Sequence, residues 1–100
     1  MNILRNREDG KFTVALEGRL DTTTAPEFEK VVAGELGGVT DFVIDFEKLE
    51  YVSSAGLRVL LMAQKSMNKQ GTMVIRNVND DIMEVFEMTG FSGVLTIEEN

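Results

Sequence analysis

The sequence has no cysteine, no histidine and no tryptophan, and it has a single proline. Without cysteine there is no disulfide and no thiolate chemistry, a usage that fits the cytosol, so a cytoplasmic location is expected. Without histidine there is no Ser-His-Asp triad, no phosphohistidine carrier and no imidazole ligand, leaving only carboxylate sites for hard cations. No metal or cofactor is expected. Basic residues are sparse as well: ten Lys and Arg stand against seventeen Asp and Glu, for a net charge of −7. The ten are scattered and form no cluster interleaved with aromatics, so DNA or RNA lacks the positive face it needs. The overall charge favours a protein partner with a basic surface. No apolar run approaches the ~20 residues of a membrane span, and the N-terminus has no signal-peptide hydrophobic region, so no membrane insertion is expected.

What is present describes one core. One hundred residues with 43% apolar content suit a single domain over 1–100. Asn2 to Glu8 and Lys11 to Glu17 flank Asp9-Gly10, a two-residue hairpin signal of type I′. Phe12, Val14 and Leu16 alternate with Thr13, Ala15 and Glu17, the pattern of a half-buried strand, while the first strand suits a sheet edge. Thr24 and Glu27 read as a capping box ahead of a helix with Phe28, Val31, Val32 and Leu36 on one face, stopped by Gly37-Gly38. Asp41 to Phe46 reads as a central, buried strand, Thr72 to Val78 as the next, and Val94 to Ile97 as the last, with a frayed tail at 98–100. Asn79 or Asp80 caps a short helix through Ile82, Val85 and Phe86 to Gly90. The order ββαβαβαβ defines the α/β class with a mixed sheet and packed helices.

Function is sought at Glu50 to Leu61, where an acidic loop runs into Ser53 and Ser54 and a helix to about Asn68 begins. Either serine suits the N-cap, where backbone N–H groups also attract anions. At 100° per residue Leu57, Leu60, Leu61 and Gln64 face the core, and Ala55, Val59, Met62 and Ser66 form a second stripe on nearly the opposite side. That stripe suits a partner, or a second copy of the chain. Catalysis would fall to carboxylates, Lys or Tyr51, with Asp21, Asp45, Glu47 and Glu50 candidates for one end of the sheet. A small carboxylate enzyme predicts a concave pocket lined by Asp21, Asp45 and Glu50; the competing reading of Asp45 is a holder of loop amides. No G-x-G-x-x-G or Walker A pattern occurs, and Ser54 has no base in sight to activate it.

Tyr51-Val52-Ser53-Ser54-Ala55-Gly56-Leu57-Arg58-Val59-Leu60-Leu61 closely resembles the signature of STAS domains, specifically the bacterial anti-sigma factor antagonists. Glu17 to Asp21, Phe42 to Phe46 and Phe86 to Phe91 resemble further family segments in the same order. The resemblance implies a STAS-like fold and a module that is not an enzyme. An anti-sigma factor with protein-kinase activity phosphorylates such a serine, a phosphoserine phosphatase reverses it, and the unphosphorylated form binds the anti-sigma factor and frees the sigma factor. Carried onto this chain, the phosphoacceptor is Ser54, followed by Gly56 and Leu57. Ser53 stands where many members have Asp, and Ala55 where Ser or Thr is frequent. Ala55, Val59 and Met62 are expected to supply apolar contact and Asp21 and Tyr51 a rim, with Ser53, Gly56 and Arg58 in the same partner-binding set. Phosphate at a helix N-terminus adds about −1.5 to −2 charges that the helix tolerates and a docked partner does not. The alternative within the family is a constitutive adaptor subunit of a larger complex, without phosphorylation.

Overall fold

The Asp9-Gly10 turn joins β1 (Asn2–Glu8) antiparallel to β2 (Lys11–Leu20) in a computed structural model that describes residues 1–98. Of the expected tail, residues 99 and 100 lie outside the described residues. The turn has a positive φ, 52°, at Asp9 and none at Gly10, which is the II′ pattern and not the I′ expected from Asp-Gly. The Gly10 carbonyl accepts the N–H groups of Thr40 and Asp41 at 2.9 and 3.1 Å, which sets the orientation of its peptide.

β2 is longer than its alternation suggests because it has two successive partners on the same side. Lys11 to Ala15 pair in parallel with β3 (Asp41–Asp45), and Gly18 to Leu20 pair in parallel with β4 (Leu49–Val52). The register shifts between Gly18 and Arg19, where Gly18 takes φ 104°, a conformation open to glycine and costly for a residue with a side chain. β4 replaces the acidic loop expected from the sequence. Leu49-Glu50-Tyr51-Val52 does not alternate, since both ends are buried and the middle pair is exposed. β5 (Thr72–Arg76) completes the order β1-β2-β3-β5, with β1 at the edge as expected. The last expected strand is reduced to one bridge, Ile75 with Ile97, after a 3-10 turn at Phe91–Gly93. The observed order is therefore ββαββαβα, still a mixed sheet in one α/β unit.

One face of the sheet carries Phe12, Val14, Leu16, Phe42, Ile44, Met73 and Ile75, all buried in a single contiguous core. α1 (Ala25–Glu35) packs on α2 (Ser54–Asn68), α2 also reaches β4 and β5, and α3 (Asp80–Thr89) rests on β4. Phe46 meets Phe86 of α3 at 6.3 Å between ring centroids. The last turn of α1 lacks a basic residue of its own. Its carbonyl end is served from elsewhere: Arg7 donates to Glu35 O and Gly37 O at 3.2 and 2.8 Å, and Gln70 Nε2 donates to Leu36 O and Val39 O at 2.6 Å.

This division between core and edge has a measurable consequence. Phe42→Ala should lower the unfolding free energy by about 3–5 kcal/mol in urea denaturation. Leu4→Ala, on the edge strand where Leu4 is 54% exposed, should change it by less than about 0.5 kcal/mol.

Candidate functional site

β2 and β4 end side by side, with Arg19 opposite Tyr51 and Leu20 opposite Val52. The Ser53 N–H donates to Leu20 O at 2.9 Å, so the two helices that follow these strands start at the same end of the sheet. Arg19 ties the corner together. Its guanidinium lies 4.3 Å from the centroid of the Tyr51 ring and its Nε is 3.7 Å from Asp21 Oδ2. Tyr51 itself is 40% exposed.

Asp21 holds the turn into α1. Its Oδ1 accepts the Thr23 N–H at 3.0 Å, the Thr23 hydroxyl at 2.8 Å and the Thr24 N–H at 3.2 Å. The expected Thr24–Glu27 capping box is not formed. Thr24 occupies the N-cap with αR backbone, and its hydroxyl is turned away from the helix, donating to Arg19 O at 2.7 Å and accepting from the Asp21 N–H at 2.9 Å. The Thr23 hydroxyl, ahead of the backbone N–H donors, holds the Asp21 carboxyl below its ordinary pKa of 3.8.

The two serines divide the work at the start of α2. Ser53 is the N-cap, with extended backbone at φ −94° and ψ 174°, and its hydroxyl accepts the Gly56 N–H at 3.4 Å. Ser54 is the first helical residue and is exposed, and among the described residues its hydroxyl makes no hydrogen bond. Gly56 is buried against β2: a Cβ there would lie 2.7 Å from Leu20 Cγ and 3.0 Å from Leu20 O. It brings the helix close to the strand and presents no surface to a partner.

The second apolar stripe of α2 is corrected in one respect. Val59 is 1% exposed, taken into the core because α1 packs on α2 as well as the sheet does. It is not part of a docking surface. The outward face consists of Ser54, Arg58 and Lys65, all exposed, with Ala55, Leu61, Met62 and Ser66 half-buried. Arg58, 74% exposed, reaches Glu29 of α1 at only 3.9 Å. Leu61 and Lys65 were missed as surface, Leu61 because its angle places it beside the truly buried Leu57, Leu60 and Gln64.

The candidate carboxylates do not gather. Asp45 Oδ1 accepts the Glu47 N–H at 2.9 Å and Asn77 Nδ2 at 3.0 Å, the loop-holding role weighed for it. With Glu17, Glu47 and Lys48 it borders a depression of about 190 Å³ that neither Asp21 nor Glu50 lines. Among the described residues no group of three or more acidic side chains is placed to hold a metal ion, and no helix is long and apolar enough to cross a membrane.

The mixed sheet and its three packed helices, with an exposed serine at the start of α2, define an α/β domain class that its relatives identify. The chain belongs to the STAS domain family, whose family model matches residues 2–100. It is similar to the anti-sigma-B factor antagonist of Staphylococcus aureus, 30% identical over 101 residues that cover 99% of this chain and 94% of that protein. It is also similar to BtrV of Bordetella bronchiseptica, 31% identical over 99 residues, covering 97% of this chain and 85% of that one. Among solved structures, an anti-sigma factor antagonist from Mycobacterium paratuberculosis superposes with TM-score 0.86 at 22% identity, covering 99% of this chain and 86% of that chain. SpoIIAA in its unphosphorylated form superposes with TM-score 0.78 at 16% identity, covering 99% and 89%. Those two structures share the fold.

Two outcomes follow from the corner's geometry. Gly56→Ala, which would help an ordinary exposed helix, should here destabilise by about 1–3 kcal/mol in thermal or urea unfolding, because the methyl group meets Leu20. Ser53→Ala should cost about 1 kcal/mol through the lost cap, and Ser54→Ala less than about 0.5 kcal/mol. The second outcome concerns acid. Since Asp21 titrates below 3.8 in the folded chain, the folded form binds that proton less tightly than the unfolded form does. The stabilisation is complete above the unfolded pKa and is lost as pH falls through the folded one. Asp21→Asn should flatten this part of the acid-unfolding curve in far-UV circular dichroism, and an unchanged curve would remove the carboxylate from the turn's energetics.

Proposed function

We propose that this chain is an anti-sigma factor antagonist whose hold on its anti-sigma factor is set by phosphorylation of Ser54. The single observation that carries the reading is the unused, exposed hydroxyl of Ser54 at the first position of α2, next to a separate residue, Ser53, that does the capping. The names of the curated relatives point to the same partner class. The chain acts as partner and as substrate, and it catalyses nothing itself. In its unphosphorylated form it docks on an anti-sigma factor that is also a serine kinase, and the sigma factor is released into the cytoplasm.

Ser54 Oγ attacks the γ-phosphorus of the kinase's ATP, the bond to the β-phosphate oxygen breaks, ADP leaves, and the hydroxyl proton passes to the kinase. A phosphoserine phosphatase later cleaves the ester with water and restores the hydroxyl. Ala55, Arg58 and Met62 meet the partner along α2, and Asp21, Tyr51 and Ser53 form the rim at its start. The added dianion sits well on the helix dipole, so the fold survives. Docking does not, because the phosphate would have to be desolvated in the contact.

The test is affinity capture from native lysate with wild type, Ser54→Ala and Ser54→Asp as bait. A kinase of the anti-sigma factor type should be held by the first two and bound roughly tenfold or more weaker by the third. Mass spectrometry of the protein from its own cells should find the phosphate on Ser54. Equal capture by all three baits would instead make the chain a constitutive adaptor.

A further inference from the structure

The chain carries a net charge of −7, yet none of its seventeen acidic residues lies in α2. Within that helix the charged residues are Arg58 and Lys65, and Lys69 follows at its C-cap. Arg58, Leu61, Met62 and Lys65 stand at spacings of three, one and three residues, which puts them on one helical face. Together they line an open depression of about 260 Å³. Its lining is two apolar side chains and two cations. Arg58 is only loosely engaged by Glu29 at 3.9 Å, with both side chains largely in water, so that tie yields easily to a competitor.

We infer that this face docks an amphipathic helix of the partner that inserts one apolar side chain between Leu61 and Met62 and flanks it with acidic residues. The inference deepens the proposed switch, and it rests on α2 being the docking helix. It reverses the expectation drawn from net charge. The chain as a whole favours a basic partner, but the helix beside Ser54 is a positive island, and interface register is set by the charges in contact. The i, i+3, i+4, i+7 ridge is the form that packs against another helix. Ser54 lies one turn before Arg58, so a phosphate there would draw the guanidinium toward itself and set a dianion against the partner's acids. Phosphorylation would thus remove a cation from the dock and add like charge to its edge.

The probe is a pair of helical peptides with the same apolar stripe, one flanked by Glu and one by Lys, titrated into the ¹⁵N-labelled full chain. The Glu-flanked peptide should shift the amides of Arg58, Leu61, Met62 and Lys65 saturably, and the Lys-flanked peptide should bind at least roughly tenfold weaker. The double variant Arg58→Glu, Lys65→Glu should invert that preference, with circular dichroism verifying its fold. Equal or tighter binding of the Lys-flanked peptide, or no saturable shift on α2, would overturn the inference. These outcomes do not depend on Ser54. If the Ser54→Asp bait loses nothing while the peptide result holds, the phosphorylation switch falls and the acidic-helix dock stands.

Discussion

The structure turns on Leu20. Its side chain is fully buried at the end of β2, a burial that stabilises by roughly 1.5–3 kcal/mol. Its backbone pairs with Val52, its carbonyl accepts the Ser53 N–H, and its side chain lies where a Cβ on Gly56 would fall. One residue therefore fixes where β4 ends, where α2 begins and how closely that helix lies on the sheet. The β2–β4 pairing is irregular just before Leu20: Gly18, at φ 104°, pairs with Leu49 and Arg19 with Tyr51, so Glu50 is the extra residue of a bulge in β4.

Electrostatics act here on two scales that point in opposite directions. The chain-wide excess of acid governs encounter at a distance. Contact is governed by the few charges at the corner and along α2, and these are arranged differently. Asp21 is committed to the Thr23–Thr24 turn, and Arg19 is shared between Asp21 and the Tyr51 ring. The acidic corner is thus internally satisfied, while Arg58 and Lys65 remain exposed and open to an outside partner.

Much of this was legible in the residues. The alternation of Phe12, Val14 and Leu16 and the apolar run at Phe42 to Ile44 each name a buried face, and each is buried; the period of α2 names Leu57, Leu60 and Gln64 correctly, while Leu61 beside them is half-buried. The misses share a physical cause: they depend on a neighbour that a local pattern cannot report. β4 exists because the end of β2 offers it an edge beyond β3, and the extra residue Glu50 leaves its own four residues without a period. Thr24 and Glu27 satisfy the capping-box spacing, but Asp21 and the Arg19 carbonyl claim the threonine hydroxyl first. Val59 sits on the helix side opposite Leu57 and Gln64, and only the packing of α1 tells that this side is covered too. The family motif pointed to Ser54 as the expected phosphoacceptor, yet it says nothing about which of two adjacent serines caps the helix.

That division between adjacent serines would make the proposed modification of Ser54 compatible with a stable fold. If Ser54 supplied the cap, phosphorylation would replace a structural hydrogen bond, and the modified and unmodified forms would differ in helix stability as well as in binding. With Ser53 in that role, the Gly56 N–H stays satisfied in both states. The Gly56–Leu20 contact holds the first turn from the other side, so the backbone carrying Ser54 is fixed against the sheet. The proposed phosphorylation would then change charge at a rigid point one turn from Arg58, and its effect would fall on the outward face of α2. A site arranged in this way reads out through the surface and leaves the core alone, which is what a small domain with one contiguous core requires of a reversible switch.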